Sequence, residues 1–143
     1  MNTNKKLTLF IVLVVLGAGA ALFITRAQTK TENSILTTVN VPELSFQAAT
    51  GKKAYDTNCA TCHGSNGAGS EQGPPLLHNI YNPGHHSDAS FYRAVKLGVR
   101  SHHWNFGNMQ ALPNVSEAQV RFIIRYVREL QLANGISYKK HNM

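Results

Sequence analysis

Residues 59–63 read Cys59-Ala60-Thr61-Cys62-His63 and include both cysteines of the 143-residue chain. Two thiols at this spacing can form thioether bonds with the two vinyl groups of one heme, and the histidine that follows can bind the iron from one face. That chemistry requires both the residue types and their spacing. The segment therefore predicts one covalently attached heme c, held by Cys59 and Cys62, with His63 as an iron ligand.

The cysteine pair also fits three other kinds of site. A redox-active dithiol usually belongs to a thioredoxin-like βαβ unit, which the sequence does not show. A zinc site needs four ligands, and no second cysteine pair or spaced histidine pair supplies them. A structural disulfide is compatible with a chain that leaves the cytoplasm. We favour heme attachment over these three.

The N-terminal residues predict how the chain relates to a membrane. A short polar stretch, 1–6, precedes an uncharged apolar run that we assign to residues 7–25. Its main part, Leu7–Ile24, would form a helix about 27 Å long, close to the roughly 30 Å hydrocarbon core of a bilayer. We expect a cytoplasmic stretch at 1–6 and a transmembrane anchor, or uncleaved signal, at 7–25. The alternative is a signal cleaved after Ala27, which the length of the run disfavours.

Composition divides the rest of the chain into a linker and one domain. Residues 26–42 are rich in Thr, Asn and Ser and end at Pro42, as is typical of a linker. Residues 43–143 have the size of one small domain. The net charge of +7 favours an acidic protein partner or an anionic membrane surface. No basic run interleaved with aromatic residues occurs, so we expect no nucleic-acid binding.

Three helices are predicted in this domain. They cover roughly residues 45–58, residues 87–97 and the stretch from Ser116 to Asn134-Gly135. Ser116 and Gln119 match a capping box at the start of the last helix. Because no strand alternation is visible, we expect an all-α fold of three to five helices with long loops around the cofactor.

Apolar spacing predicts which helix faces are buried. In the first helix the expected contacts are Phe46, Ala49 and Tyr55. The last helix has a continuous apolar face with three arginines pointing away from it. That face consists of Val120, Ile123, Ile124, Val127 and Leu130, and the arginines are Arg121, Arg125 and Arg128.

Met109 is the predicted second iron ligand. It lies in a polar, glycine-containing loop rather than on an apolar helix face, so core packing explains it poorly. A thioether is a soft, neutral ligand that favours ferrous iron. Histidine ligation, for instance by His102 or His103, is the alternative.

The chain has other histidines beside these candidates. Two adjacent pairs, His85-His86 and His102-His103, could instead bind copper or zinc, and His78 and His141 stand alone.

Over residues 46–134 the chain resembles the class I monoheme cytochromes c, in particular the membrane-anchored bacterial type. Gly51 and Tyr55 resemble the N-terminal helix of that family where it crosses the C-terminal helix, and Ile123 and Tyr126 are the candidates on the other side. The resemblance implies that residues 43–143 form a cytochrome c domain around one heme, preceded by the transmembrane helix.

Two loops carry the resemblance further. Gly73-Pro74-Pro75-Leu76 resembles the Gly-Pro-x-Leu segment of the family, which implies that the Pro74 carbonyl accepts the Nδ1 proton of His63 and that Leu76 packs on the heme edge. The Met109 loop resembles the Met-Pro segment, although Gln110 stands where proline is usual. Tyr81, Arg100 and Trp104 are candidate partners of the heme propionates.

The resemblance implies a one-electron carrier with His63 and Met109 bound to iron, and not an enzyme. Its heme domain would face the periplasm or an equivalent exported compartment. Expected partners are a quinol-oxidising complex or a dehydrogenase as donor and a terminal oxidase as acceptor, with weak docking at a heme edge ringed by basic residues. The basic candidates are Lys52, Lys53, Arg93 and Lys96. Two alternatives are a heme enzyme or gas sensor with a labile sixth ligand, and a metal-handling protein that uses the histidine pairs.

Overall fold

The computed structural model describes residues 39–140, and within them every regular element is helical. The α-helices are α1 (Phe46–Asn58), α2 (Ala60–His63), α3 (Asp88–Leu97) and α4 (Glu117–Ala133), with 3-10 turns at Ser65–Gly67 and Asn79–Tyr81. The extended pairing in this part of the chain is a single bridge between Val99 and Met109. The prediction of an all-α fold is confirmed.

The predicted transmembrane anchor, residues 7–25, lies outside the described residues, as does the cytoplasmic stretch before it. Within residues 39–140, none of the helices combines the length and apolar character needed to cross a bilayer. The division into anchor, linker and heme domain at residues 25 and 42 therefore stays a prediction.

The predicted helix starts are confirmed. Ser45 caps α1 by accepting a hydrogen bond from the Ala48 amide. At the start of α4, Ser116 and Gln119 form the capping box in both directions.

The end of α4 follows the predicted Asn134-Gly135 signal. Gly135 has a positive φ of 77°, and the Ile136 amide donates to the Gln131 carbonyl at 2.8 Å. Together with the bond from the Gly135 amide to Leu132, this is a Schellman ending.

α1 and α4 cross with their backbones in contact at Gly51. A Cβ atom on Gly51 would lie 1.8 Å from the Phe122 carbonyl oxygen and 3.0 Å from the Ile123 nitrogen. One turn further along, the rings of Tyr55 and Tyr126 pack with their centroids 5.4 Å apart. The predicted crossing is confirmed, and both tyrosines are fully buried.

The buried face of α1 differs from the prediction. Phe46 is 88% exposed and Ala49 is exposed, whereas Ala48, Gly51 and Tyr55 are buried. The reason is geometric, since Gly51 must face α4 and only positions three or four residues away share its side of the helix. Phe46 and Ala49 lie on the opposite side.

Arg128 also departs from the prediction, because it does not point away from the core. Its guanidinium donates to the carbonyls of Tyr81 at 3.0 Å and His86 at 2.6 Å, and it pairs with Asp88 at 2.9 Å. Next to it, the fully buried Gln131 donates to the Leu76 and Tyr81 carbonyls, both at 3.0 Å. These side chains satisfy loop carbonyls that have no helix or strand partner, and so hold residues 76–86 against α4.

A second tie joins the beginning of α1 to α4. Glu129 accepts hydrogen bonds from the Ser45 amide at 3.0 Å, the Ser45 hydroxyl at 2.7 Å and Arg125 at 2.6 Å. Burial alone would raise the pKa of this carboxyl, but the bonds from Ser45 and the charge of Arg125 outweigh it and hold the pKa below its ordinary value. Glu129 is therefore ionised at neutral pH and joins the start of α1 to α4.

Gly51→Ala is expected to destabilise the domain by about 1–3 kcal/mol or more. The new methyl group would meet the Phe122 carbonyl oxygen, a backbone atom that cannot move aside without displacing α4. Denaturant unfolding of the heme-loaded protein, followed by circular dichroism, measures the change. Gln47→Ala, at an exposed position of the same helix, is the control and should alter the unfolding free energy by no more than about 0.5 kcal/mol. Equal effects of the two substitutions would contradict the close crossing.

Candidate heme site

A cavity of about 680 Å³ brings four of the predicted site residues together. His63, Pro74, Leu76 and Met109 all line it. Its volume is in the range of sites that enclose a cofactor-sized molecule.

The Pro74 carbonyl orients His63, as the resemblance to the class I cytochromes c implies. Its Nδ1 lies 2.9 Å from the Pro74 oxygen. Because a carbonyl can only accept, Nδ1 carries the proton and Nε2 keeps its lone pair for a metal. Burial lowers the pKa of His63, partly offset by the bond to Pro74. The imidazole is therefore neutral at pH 7, which is the form that binds iron.

The loop after His63 is shaped by the crossing of α1 and α4. The Tyr55 hydroxyl donates to the Gly64 carbonyl at 2.8 Å, and the Tyr126 hydroxyl donates to Asn66 Oδ1 at 2.8 Å. Asn66 has a φ of 55°, a left-handed conformation that asparagine tolerates. The two buried tyrosines thus connect the helix crossing to the residues that follow the histidine.

The same loop returns to the cysteines at Gly73. A Cβ atom there would lie 2.7 Å from the Cys62 carbonyl oxygen, so only glycine allows the chain to pass this close. Pro74, whose carbonyl lies beside His63, follows Gly73 directly. The buried Leu76 comes two positions after Pro74.

Cys59 is the residue just before α2 and Cys62 lies within it, and neither cysteine lines the cavity. Cys59 packs partly buried against the core, whereas Cys62 is exposed, and the two are not joined in a disulfide. Burial, reinforced by the neighbouring Cys62, raises the pKa of the Cys59 thiol to about 11. Residues three apart on a helical turn lie on one face, as attachment to one planar group requires.

Met109 is held in place by the chain that leaves α3. Its amide donates to the Val99 carbonyl at 2.9 Å, and the Val99 amide donates to the Met109 carbonyl at 3.0 Å. Gly98, with a φ of 75°, allows this approach, because a Cβ there would lie 2.5 Å from the Met109 oxygen. The Leu112 amide then donates to Val95 at 2.8 Å.

The proposed propionate partners line the cavity too. Tyr81, Arg100 and Trp104 are all part of its wall. The Trp104 indole N–H is buried and has no hydrogen-bond partner among the described residues. A buried donor without an acceptor is costly, and a carboxylate of a bound heme would satisfy it. The residues present therefore fit a heme.

Both histidine pairs meet at this cavity, which the sequence analysis did not foresee. His85 Nε2 and His103 Nε2 are 3.3 Å apart, although 18 positions separate them in the chain. In the sequence, the one indication of this contact is that the His-His doublet occurs twice. His78 instead packs edge-on against Trp104, with ring centroids 5.1 Å apart, and His141 lies outside the described residues.

Comparisons with known proteins identify the family of the chain. The family model for cytochrome c matches residues 48–131. Among curated proteins, a "Cbb3-type cytochrome c oxidase subunit CcoP" from Azospirillum sp. (strain B510) is 32% identical over 84 residues, which are 59% of this chain and 27% of that protein. The corresponding subunit from Azospirillum brasilense is 33% identical over 58 residues, 41% of this chain and 19% of that protein.

The chain thus spans about a quarter or less of the length of these relatives. No solved structure matches it. The family match covers more than half of the chain and includes the cysteine pair, His63 and Met109. The chain belongs to the cytochrome c family and carries a covalently attached c-type heme.

Proposed function

We propose that the protein is a one-electron carrier whose heme iron is bound by His63 and Met109 in both oxidation states. The observation that carries the proposal is that both residues line one cavity, with His63 already fixed by Pro74. The heme supplies the one-electron couple. If His63 and Met109 both bind the iron, no coordination position would be left for a substrate, and the protein would act in electron transfer and not as an enzyme.

Each proposed ligand has a distinct task. The Pro74 carbonyl keeps the His63 imidazole in one tautomer and one orientation, and thereby raises its basicity as a ligand. The Met109 thioether is neutral and soft, so it stabilises ferrous iron and raises the reduction potential. Leu76, buried beside them, excludes water from the cavity wall.

The relatives support a terminal oxidase as the electron acceptor. Both are named as subunits of a cbb3-type cytochrome c oxidase, and the cytochrome c family model matches residues 48–131 of this chain. We propose that this protein delivers electrons to such a complex, either as a separate carrier or as a subunit. A quinol-oxidising complex or a dehydrogenase is the proposed donor.

Basic residues near the cavity would steer the partner. Of the four candidates, Arg93 is exposed and lines the cavity, with the exposed Lys96 next to it on α3. Lys52 is instead paired with Asp56 at 2.6 Å. Lys53 is exposed but belongs to α1, away from the cavity wall. We therefore assign the steering charge to α3.

A membrane anchor completes the proposal. Residues 7–25 would hold the chain in the membrane, with 1–6 in the cytoplasm, and residues 26–42 would tether the heme domain, 43–143, on the periplasmic or equivalent exported side. The length and apolar character of 7–25 support this arrangement.

Met109→Ala tests the ligand assignment. The ferric protein should lose the weak red absorption band that marks sulfur ligation, and its reduction potential should fall, because the ligand that favours ferrous iron is gone. Visible spectroscopy and a redox titration measure the two changes. The ferrous variant should also bind carbon monoxide, whereas the unaltered protein should not.

Gln110→Ala, at the exposed neighbouring position, is the control and should keep the band, the potential and the resistance to carbon monoxide. If the band persists in Met109→Ala, the sulfur ligand assignment is wrong. If the unaltered ferrous protein binds carbon monoxide without unfolding, the alternative of a gas sensor or heme enzyme replaces the electron carrier.

Arg93→Glu should slow oxidation of the ferrous protein by hexacyanoferrate(III). The substitution replaces attraction of this anion at the cavity rim with repulsion, and the difference should shrink as salt is added. Stopped-flow absorbance of the heme measures the rate. Lys53→Glu makes the same change in net charge away from the cavity, so a slowing as large as that of Arg93→Glu would argue against steering by α3.

The mass of the protein isolated from membranes tests the anchor. Retention of residues 1–27 together with one heme is expected, and the protein should need detergent to leave the membrane. A mass that begins at residue 28 would show cleavage after Ala27 and would exclude the anchor.

A further inference from the structure

Three histidines from two loops form a cluster in the wall of the cavity. The nitrogens of His85, His86 and His103 that could bind a metal all lie within 4.8 Å of one another. Their rings are correspondingly close, with centroids separated by 4.7 Å for His85 and His86 and by 5.2 Å for His103 from each of the other two. We propose that His85, His86 and His103 form a binding site for a divalent d-block cation, with zinc as its representative, in addition to the heme iron.

The spacing of the nitrogens fits a tetrahedral ion. Two nitrogens bound at about 2.0–2.1 Å to one tetrahedral zinc lie roughly 3.3–3.4 Å apart. His85 Nε2 and His103 Nε2 are separated by 3.3 Å. His86, whose ligand nitrogen lies within 4.8 Å of the other two, would supply the third donor and leave a fourth position for water.

Hydrogen bonds to main-chain carbonyls hold part of the cluster in place, as is usual for metal-binding histidines. His86 Nδ1 lies 2.7 Å from the Ile80 carbonyl, so its proton is on Nδ1 and Nε2 keeps a lone pair. The amides of His85 and His86 both donate to Asn82, at 3.0 and 2.9 Å, and Arg128 binds the His86 carbonyl. The backbone of this doublet is therefore fixed before any ion binds.

The donor set selects the class of ion. All three members are imidazoles, and no carboxylate from residues 39–140 belongs to the group. Imidazole nitrogens suit zinc, copper and nickel, whereas magnesium and calcium require oxygen ligands.

An ion can reach the cluster from solvent. His103 is exposed, and His85 and His86 are half-buried. The site is distinct from the proposed iron ligands, because neither His63 nor Met109 is a member of the cluster. The proposal therefore stands or falls separately from the electron-carrier assignment.

Zinc binding by the heme-loaded full-length protein, prepared without a polyhistidine tag, tests the proposal. Equilibrium dialysis with elemental analysis should find one zinc per heme iron, and calorimetry gives the affinity. Excess magnesium should not displace the zinc. His103→Asn should weaken binding at least about 100-fold, since loss of a supporting hydrogen bond alone costs 10- to 100-fold.

His78→Asn is the matched control, because His78 is an exposed histidine outside the cluster and asparagine can keep its cap on the Ile80 amide. It should retain zinc with unchanged affinity. An unaltered visible spectrum in each variant verifies the fold, and His85→Asn serves as a second cluster variant. Absence of stoichiometric zinc, or equal affinity in the His103 and His78 variants, would overturn the proposal while leaving the iron ligands unaffected.

Discussion

Contact between the backbones of α1 and α4 at Gly51 is the constraint on which the heme site depends. It brings Tyr55 and Tyr126 together in the core, and each hydroxyl then holds the loop after His63, at Gly64 and Asn66. That loop returns the Pro74 carbonyl to His63 Nδ1. The orientation of the histidine is thus fixed by a helix crossing that does not itself line the cavity.

α4 also positions a second part of the cavity wall. Gln131 and Arg128 bind main-chain carbonyls between Leu76 and His86, in a segment that has little regular structure of its own. Leaving such carbonyls unpaired inside a protein is costly, so these two side chains determine where the loop lies. The apolar face of α4 forms the core while two of its polar residues position the cavity wall.

Sequence predicts best the features that are local or covalent. The capping box at Ser116 and the heme-binding pentapeptide need only neighbouring residues, and the Gly51 crossing followed from a family resemblance. The errors have another origin. Phe46 is exposed because contact with α4 determines which face of α1 is buried. Arg128 is half-buried because its guanidinium donates hydrogen bonds to main-chain carbonyls of a loop distant in sequence. The meeting of His85 with His103 depends on how two loops fold, which no local pattern encodes.

Two main-chain hydrogen bonds between Val99 and Met109 close residues 100–108 into a loop. We expect changes in the length or composition of that loop to leave Met109 in place, because main-chain hydrogen bonds, which do not depend on side-chain identity, join its two ends. We therefore expect that the histidine-bearing loop can be remodelled without displacing Met109, the proposed iron ligand. A second chemistry can be gained or lost there while the redox centre is preserved.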